Sequence, residues 1–235
     1  MEASAFQTTA GRTVPAVTAD EMAEVDRVAT DDVGLVLLMM MENAGRNLAR
    51  VVARTDPETV TVVAGSGGNG GGGMACARHL ANRGVEVSVA LSSPPPESLA
   101  GAPAQQFAVL DAMGVPVVEE PDPAATVVVD ALVGYGLDGV IRGAAVESIA
   151  AMNDAERVVS LDVPSGIDAT SGEVLGRAVD PEVTVTLALP KTGLRGLDTE
   201  LWLADIAIPT VVYERAELTH DSPFDGYLEK IVAAD

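Results

Sequence analysis

Aromatic side chains make up only 3% of this 235-residue chain, although 48% of it is apolar. The core must therefore be built from Val, Ala, Leu and Met, which suits a buried parallel sheet covered by helices. Cysteine occurs once, at Cys76, which excludes an internal disulfide and a cysteine metal cluster. Between Ala75 and Ala77 it reads as a small packed hydrophobe. Positive charge is scarce: 14 basic residues face 35 acidic ones, the formal net charge is −21, and the lysines are Lys191 and Lys230 alone. Such a surface repels nucleic acid and anionic membrane, so neither is expected as a partner. So much acid with so little lysine predicts a protein kept soluble in high salt, one that unfolds on transfer to low salt. Long apolar runs are missing too. The longest, 33–41, is too short to cross a bilayer and is flanked by Asp31, Asp32 and Glu42. Arg12 is the one early positive charge and no apolar core follows it, so no secretory signal is read and a cytoplasmic protein is expected.

What the chain has in abundance is glycine, in one place. In ETVTVVAGSGGNGGGGMACARHLAN, 58–82, a β-branched run ends at Ala64, and every residue from Gly65 to Gly73 is glycine except Ser66 and Asn69. A helical pattern begins near Met74. Each glycine sacrifices about 0.5–1 kcal/mol of backbone order against alanine, so the cluster is not filler. Strand, glycine loop and helix N-terminus together present bare N–H groups to an anion.

At this length the chain is expected to form one domain over 1–235, with 1–16 frayed or extended. Thr18 and Glu21 match a capping box that starts a helix through about Ala29. A second helix is expected over 33–54, its stripe formed by Leu37, Met40, Met41, Ala44, Leu48, Val51 and Val52. Gly45 inside it implies close packing against another backbone. Alternation follows: strand 58–64 and helix 73–83, strand 85–91, a loop at Pro94–Pro96, helix 103–113, then a short strand at 115–118. After these come strand 126–132, helix 144–153, and strands 157–163, 182–189 and 201–206. Strands alternating with helices predict a doubly wound, mostly parallel α/β sheet. The tail 214–235 fits no motif; a sheet-edge cover or a dimer contact are its two readings.

In open parallel sheets ligands bind beyond the carboxyl ends of the strands. Three loops leave such ends with chemistry-capable groups: the glycine loop with Asn69, GYGLDGVIRG after Asp130, and LDVPSGID with Asp162, Ser165 and Asp168. Asp130 and Asp162 each end an apolar strand, where an acid is costly to bury without a partner. Asp138 and Asp168 lie deeper in polar loops and read as loop caps. Gly65, Gly67 and Gly70 fit G-x-G-x-x-G, but Leu91, Ser92 and Ser93 stand where a nicotinamide dehydrogenase needs a ribose-binding acid. No Gly-Lys-Ser/Thr follows, so a P-loop is excluded as well. His79 has no acid a turn away and reads as packed or surface.

Taken in order, VTADEMAEVDR, MMENAGR, GSGGNGGGGMACARHL, DALVGYGLDGVIRG, LDVPSGIDATSGEV, LALPKTGL and LADIAIP resemble the NAD(P)H-hydrate epimerase family, the YjeF N-terminal domain. The resemblance spans about 17–209. It implies a Rossmann-like three-layer α/β/α sandwich, often dimeric, that interconverts the C6 epimers of hydrated NADH or NADPH. A separate dehydratase would act on the same metabolite. By matching positions, Gly68, Asn69, Gly70, Gly71 and Gly72 would face the substrate. So would Gly134, Tyr135, Gly136, Leu137, Asp138, Gly139, Val140 and Asp162. Asn69, Asp130 and Ser165 would hold a potassium ion, for which oxygen ligands are suited. Asp162 is the expected acid–base group; Lys191, after LALP, is expected to hold a phosphate or balance the site's charge, with a surface salt bridge as its other reading. The family usually writes N-N-G-G-D where this chain has Gly68, Asn69, Gly70, Gly71 and Gly72, and a small Thr is common where Tyr135 stands. These departures leave a second reading, a catalytically silent relative that binds a nucleotide or a protein.

Overall fold

The valine-rich run after residue 58 becomes the strand from which the sheet winds in both directions. The computed structural model describes residues 5–91, 99–122 and 124–234, so the Pro94–Pro96 loop lies outside the described residues. The elements in order are β1 (Ala5–Thr8), β2 (Thr13–Pro15), α1 (Ala19–Arg27), α2 (Leu37–Val52), β3 (Thr59–Ala64), α3 (Gly68–Ala81), β4 (Glu86–Leu91) and α4 (Gly101–Ala112). They continue with β5 (Val117–Val118), β6 (Val127–Ala131), α5 (Ala144–Asn153), β7 (Val158–Leu161), β8 (Val183–Leu187), β9 (Glu200–Ala204), α6 (Thr210–Arg215) and β10 (Leu228–Ala233). One sheet runs in the order β2-β1-β10-β9-β8-β7-β6-β3-β4-β5. All pairs from β9 through to β5 are parallel. This is the Rossmann-like doubly wound arrangement expected, with helices on both faces. From β3 the chain steps outward through β4 and β5, returns to β6 on the other side, and continues to β9. The order therefore reverses between β3 and β6, and a crevice opens beyond their carboxyl ends.

Successive strand residues face opposite sides of the sheet. Val60, Val62, Val127, Val129 and Leu161 join α2, α3 and α4 residues in one core, while Val63 and Val128 meet Ile149 and Met152 of α5 in another. Phe6, Val25, Leu203, Tyr213 and Ile231 belong to a third. Cys76 is fully buried, and burial pushes its thiol up, as a packed hydrophobe requires.

Several boundaries differ from the sequence reading. From Ala5 on, the start of the chain is extended, one of the two states expected: β1 pairs with β2 and with β10, and β10 pairs antiparallel with β9. The tail is thus a cover for the β9 edge, and a strand the periodicity did not reveal. The capping box is present at Thr18, but α1 stops at Arg27 and a π turn, Val28–Asp32, follows. Residues 33–36 precede α2 rather than belonging to it.

The largest correction concerns α3, which starts at Gly68 and not near Met74. Glycine in a helix costs about 1 kcal/mol per residue, so packing must compensate. A Cβ on Gly73 would lie 2.4 Å from the Ala131 Cβ of β6, and one on Gly45 would lie 2.6 Å from the Gly72 carbonyl oxygen of α3. The glycines let α3 settle between the sheet and α2 closer than any side chain permits.

Candidate functional site

Where β3, β6 and β7 end, three loops converge on a cavity of about 340 Å³. Its floor comes from Gly68, Asn69 and Gly72 of α3, Gly134, Tyr135 and Gly136 after β6, and Asp162 after β7. Leu37, Met40, Met41 and Ala44 of α2 close it with apolar surface, and Asp26 of α1 lines it as well. Space near Gly134 is tight: a Cβ there would lie 2.7 Å from Asp162 Oδ2 and 3.2 Å from Asn69 Oδ1. Glycine at 134 thus brings the second loop against the other two.

Asp162 is 3% exposed and Lys191 1%. Their side chains form an ion pair, and Lys191 Nζ also donates to the Leu187 carbonyl oxygen at 2.9 Å. The Tyr135 N–H donates to Asp162 Oδ2 at 2.9 Å. Asp162 takes a left-handed backbone, φ 70°, which turns its carboxylate off the strand axis and into the loops. Two buried charges of opposite sign at bonding distance are stable only as a pair, since either alone bears a desolvation penalty of several kcal/mol.

Tyr135 lies beside this ion pair and also reaches α1. Its ring centroid is 5.6 Å from Lys191 Nζ, and its hydroxyl donates to Asp26 Oδ2 at 2.5 Å. Burial pushes the Asp26 carboxyl up, with the Tyr135 hydrogen bond and the Lys191 charge opposing. Burial, then the Asp26 charge, also pushes up the Tyr135 phenol.

Asp130 sits behind this surface, fully buried. Its Oδ1 accepts from Ser165 Oγ at 2.6 Å and from the Leu132 N–H at 3.2 Å. Its Oδ2 accepts from Ser160 Oγ at 2.8 Å and the Ser165 N–H at 2.9 Å. Burial pushes its carboxyl up and these four donors pull it down. No cationic side chain faces it among the described residues. Asn69 makes no hydrogen bond to Asp130 or Ser165, and its buried Nδ2 has no partner.

Of the thirteen expected substrate-facing positions, Gly68, Asn69, Gly72, Gly134, Tyr135, Gly136 and Asp162 line the cavity. Gly70 and Gly71 do not: they pack against the Gly65 carbonyl and Met41. Leu137, Asp138, Gly139 and Val140 run outward along the loop, with Val140 half exposed. Lys191 is paired with Asp162 in the interior, so it is not a surface salt bridge, and the pairing fits the charge-balancing role expected of it. Asp168 is the loop cap expected, accepting from the Thr170 and Ser171 N–H groups at 3.0 and 2.7 Å. His79 does have an acid partner, Glu42, whose Oε1 is 2.8 Å from its Nε2; that acid lies on α2 and not along α3. The sequence reading missed Asp26. A signal was there: with Met22 and Val25 of α1 and Ala29 of the turn that follows, it falls at helical spacing on a buried face, where an acid needs a reason.

A glycine-started helix, a strand-end acid pair and a crevice at the reversal of strand order define a Rossmann-like α/β protein. The chain belongs to the family described as YjeF-related protein N-terminus, whose model matches residues 37–193. It is 43% identical to the NAD(P)H-hydrate epimerase of Dehalogenimonas lykanthroporepellens, over 98% of each chain. It is 34% identical to the Limosilactobacillus reuteri protein of the same name, over 82% of this chain and 93% of that one. Against the bifunctional NAD(P)H-hydrate repair enzyme Nnr of Moorella thermoacetica it is 35% identical but spans only 40% of that protein. The crystal structure of yeast ynu0 superposes with a TM-score of 0.79 at 25% identity, covering 94% of this chain and all of that one.

Proposed function

We infer that this protein is an NAD(P)H-hydrate epimerase, an isomerase that interconverts the C6 epimers of hydrated NADH and NADPH. The buried Lys191–Asp162 pair carries the reading. It supplies a proton donor and acceptor at the wall of a cavity whose remaining lining is backbone and apolar side chain. That setting holds a nicotinamide ring and concentrates acid–base chemistry on one of its faces. The ring-nitrogen lone pair expels the C6 hydroxyl as water once a proton reaches it. Asp162 passes that proton on from Lys191 Nζ, and the C6–O bond breaks to leave a conjugated iminium. Water then adds to C6, the N1=C6 pair returns to nitrogen, and the proton this water loses goes to a carboxylate of the cavity, so no proton is gained or lost overall. Positioned acid–base help of this kind supplies about 10²–10⁴ in rate.

Asn69, Asp130 and Ser165 would hold a potassium ion. The donors present are of the kind it takes: a fully buried carboxylate with no cationic partner among the described residues, a hydroxyl, and the side-chain amide oxygen of Asn69. No cluster of three His, Cys, Asp or Glu occurs among the described residues, so the oxygen set suits a hard monovalent ion better than a transition metal. Bound there, the ion would offset the Asp130 charge and fix the three loops. The same reading makes the protein a homodimer of the cytoplasm whose product a separate dehydratase consumes; no helix among the described residues is long and apolar enough to cross a membrane.

The test is direct. Purified protein is mixed with one epimer of hydrated NADH and the other is followed by chromatography. Interconversion faster than in buffer supports the reading, and equal rates overturn it in favour of a silent binding module.

A further inference from the structure

An epimerase must act on both faces of its ring, and a carboxylate fixed in one wall reaches only one. The cavity contains a second proton-handling group. Tyr135 touches Asp162 with its backbone N–H and Asp26 with its hydroxyl, so the full length of a tyrosine separates the two carboxylates. All three residues line the same cavity. Asp26 comes from α1 and Asp162 from the loop after β7, so the two carboxylates reach the cavity from different elements.

We propose that the Tyr135 hydroxyl is the catalytic group for the ring face opposite Asp162, with Asp26 as the positioning residue that takes its proton onward. The inference rests on the epimerase reading. At the Asp162 face the hydroxyl is protonated, the C6–O bond breaks, the nitrogen lone pair forms N1=C6, and water leaves. At the other face a new water forms its C–O bond to C6 and the N1=C6 pair returns to nitrogen. The proton this water loses passes to Tyr135 Oη as the tyrosine's own proton passes to Asp26. Asp26 then holds the proton needed to expel the hydroxyl from that face, so the other epimer reacts by the same steps reversed. The raised Asp26 carboxyl and the apolar wall beside it favour a proton resting there.

The experiment uses Tyr135→Phe and Asp26→Asn in water enriched in oxygen-18, each epimer supplied separately. Wild type is expected to deliver labelled product of opposite configuration. In Tyr135→Phe the appearance of the opposite epimer should fall about 10²–10⁴-fold with KM little changed. The epimer whose hydroxyl faces Asp162 should still exchange its oxygen with retention. Asp26→Asn should behave alike, and circular dichroism verifies folding of both. Wild-type epimerisation rates in a folded Tyr135→Phe overturn the proposal. So does parallel loss of exchange and inversion, which marks Tyr135 as merely structural. A wild type that epimerises nothing refutes the functional reading itself, a separate result.

Discussion

Lys191 and Asp162 bury an ion pair almost completely, with 1% and 4% of the two side chains exposed. Twenty-nine residues separate them along the chain, yet each is the other's condition for being charged inside the protein. Lys191→Met strands the carboxylate and is expected to cost about 3–5 kcal/mol. Adding Asp162→Asn to Lys191→Met should recover part of that loss, since no bare charge is left inside. Urea denaturation of the two single variants and the double measures this. Asp162→Asn alone leaves Lys191 buried without its partner, so it should lose stability as well as nearly all epimerisation, with circular dichroism checking that the remaining protein is folded.

The helix pair α2–α3 makes a second prediction. Gly45→Ala places a Cβ 2.4 Å from Ala75 Cβ and 2.8 Å from the Cys76 nitrogen. Overpacking of this kind costs about 1–3 kcal/mol. At Gly68 nothing lies within 4 Å, so Gly68→Asn, the residue common in the family, should be tolerated. Thermal melts should separate the two by several degrees.

If Asn69, Asp130 and Ser165 hold potassium, its removal should matter at constant ionic strength. Epimerisation is expected to fall when potassium chloride is replaced by choline chloride and to return on adding potassium. Asp130→Asn should abolish the difference. Equal rates in both salts would remove the ion from the site.

Asp26 gives a pH prediction. Its carboxyl is raised by burial from the ordinary 3.8, so the folded protein holds a proton that the unfolded chain releases. The sign follows: the contribution to stability is complete below about 3.8 and declines as pH rises through the higher folded value. Asp26→Asn carries no such proton. The wild-type minus variant stability should therefore fall over that interval, as urea titrations at successive pH values can follow.

How much of this was legible beforehand depends on the range of the interaction. The order of strands and helices from β3 to β9 was plain, because apolar runs and turn residues signal them locally. Asp130 and Asp162 stood out because an acid ending an apolar strand is costly wherever the strand goes. The start of α3 was misread, because six glycine-rich residues have no helical preference of their own. Only the sheet on one side and α2 on the other make that turn helical. Asp26 was overlooked because its partner Tyr135 lies 109 residues away.

The sequence by itself therefore determined the winding of the sheet, the crevice where that winding reverses, and the family. Each follows from short-range pattern or from ordered motifs. Tertiary structure alone decided that β10 of the tail adds to β9 and carries β1 and β2 beyond it, that Lys191 neutralises Asp162, and that Tyr135 reaches Asp26. Those are contacts between distant segments, brought about by packing and charge pairing in space, and no stretch of sequence contains both partners.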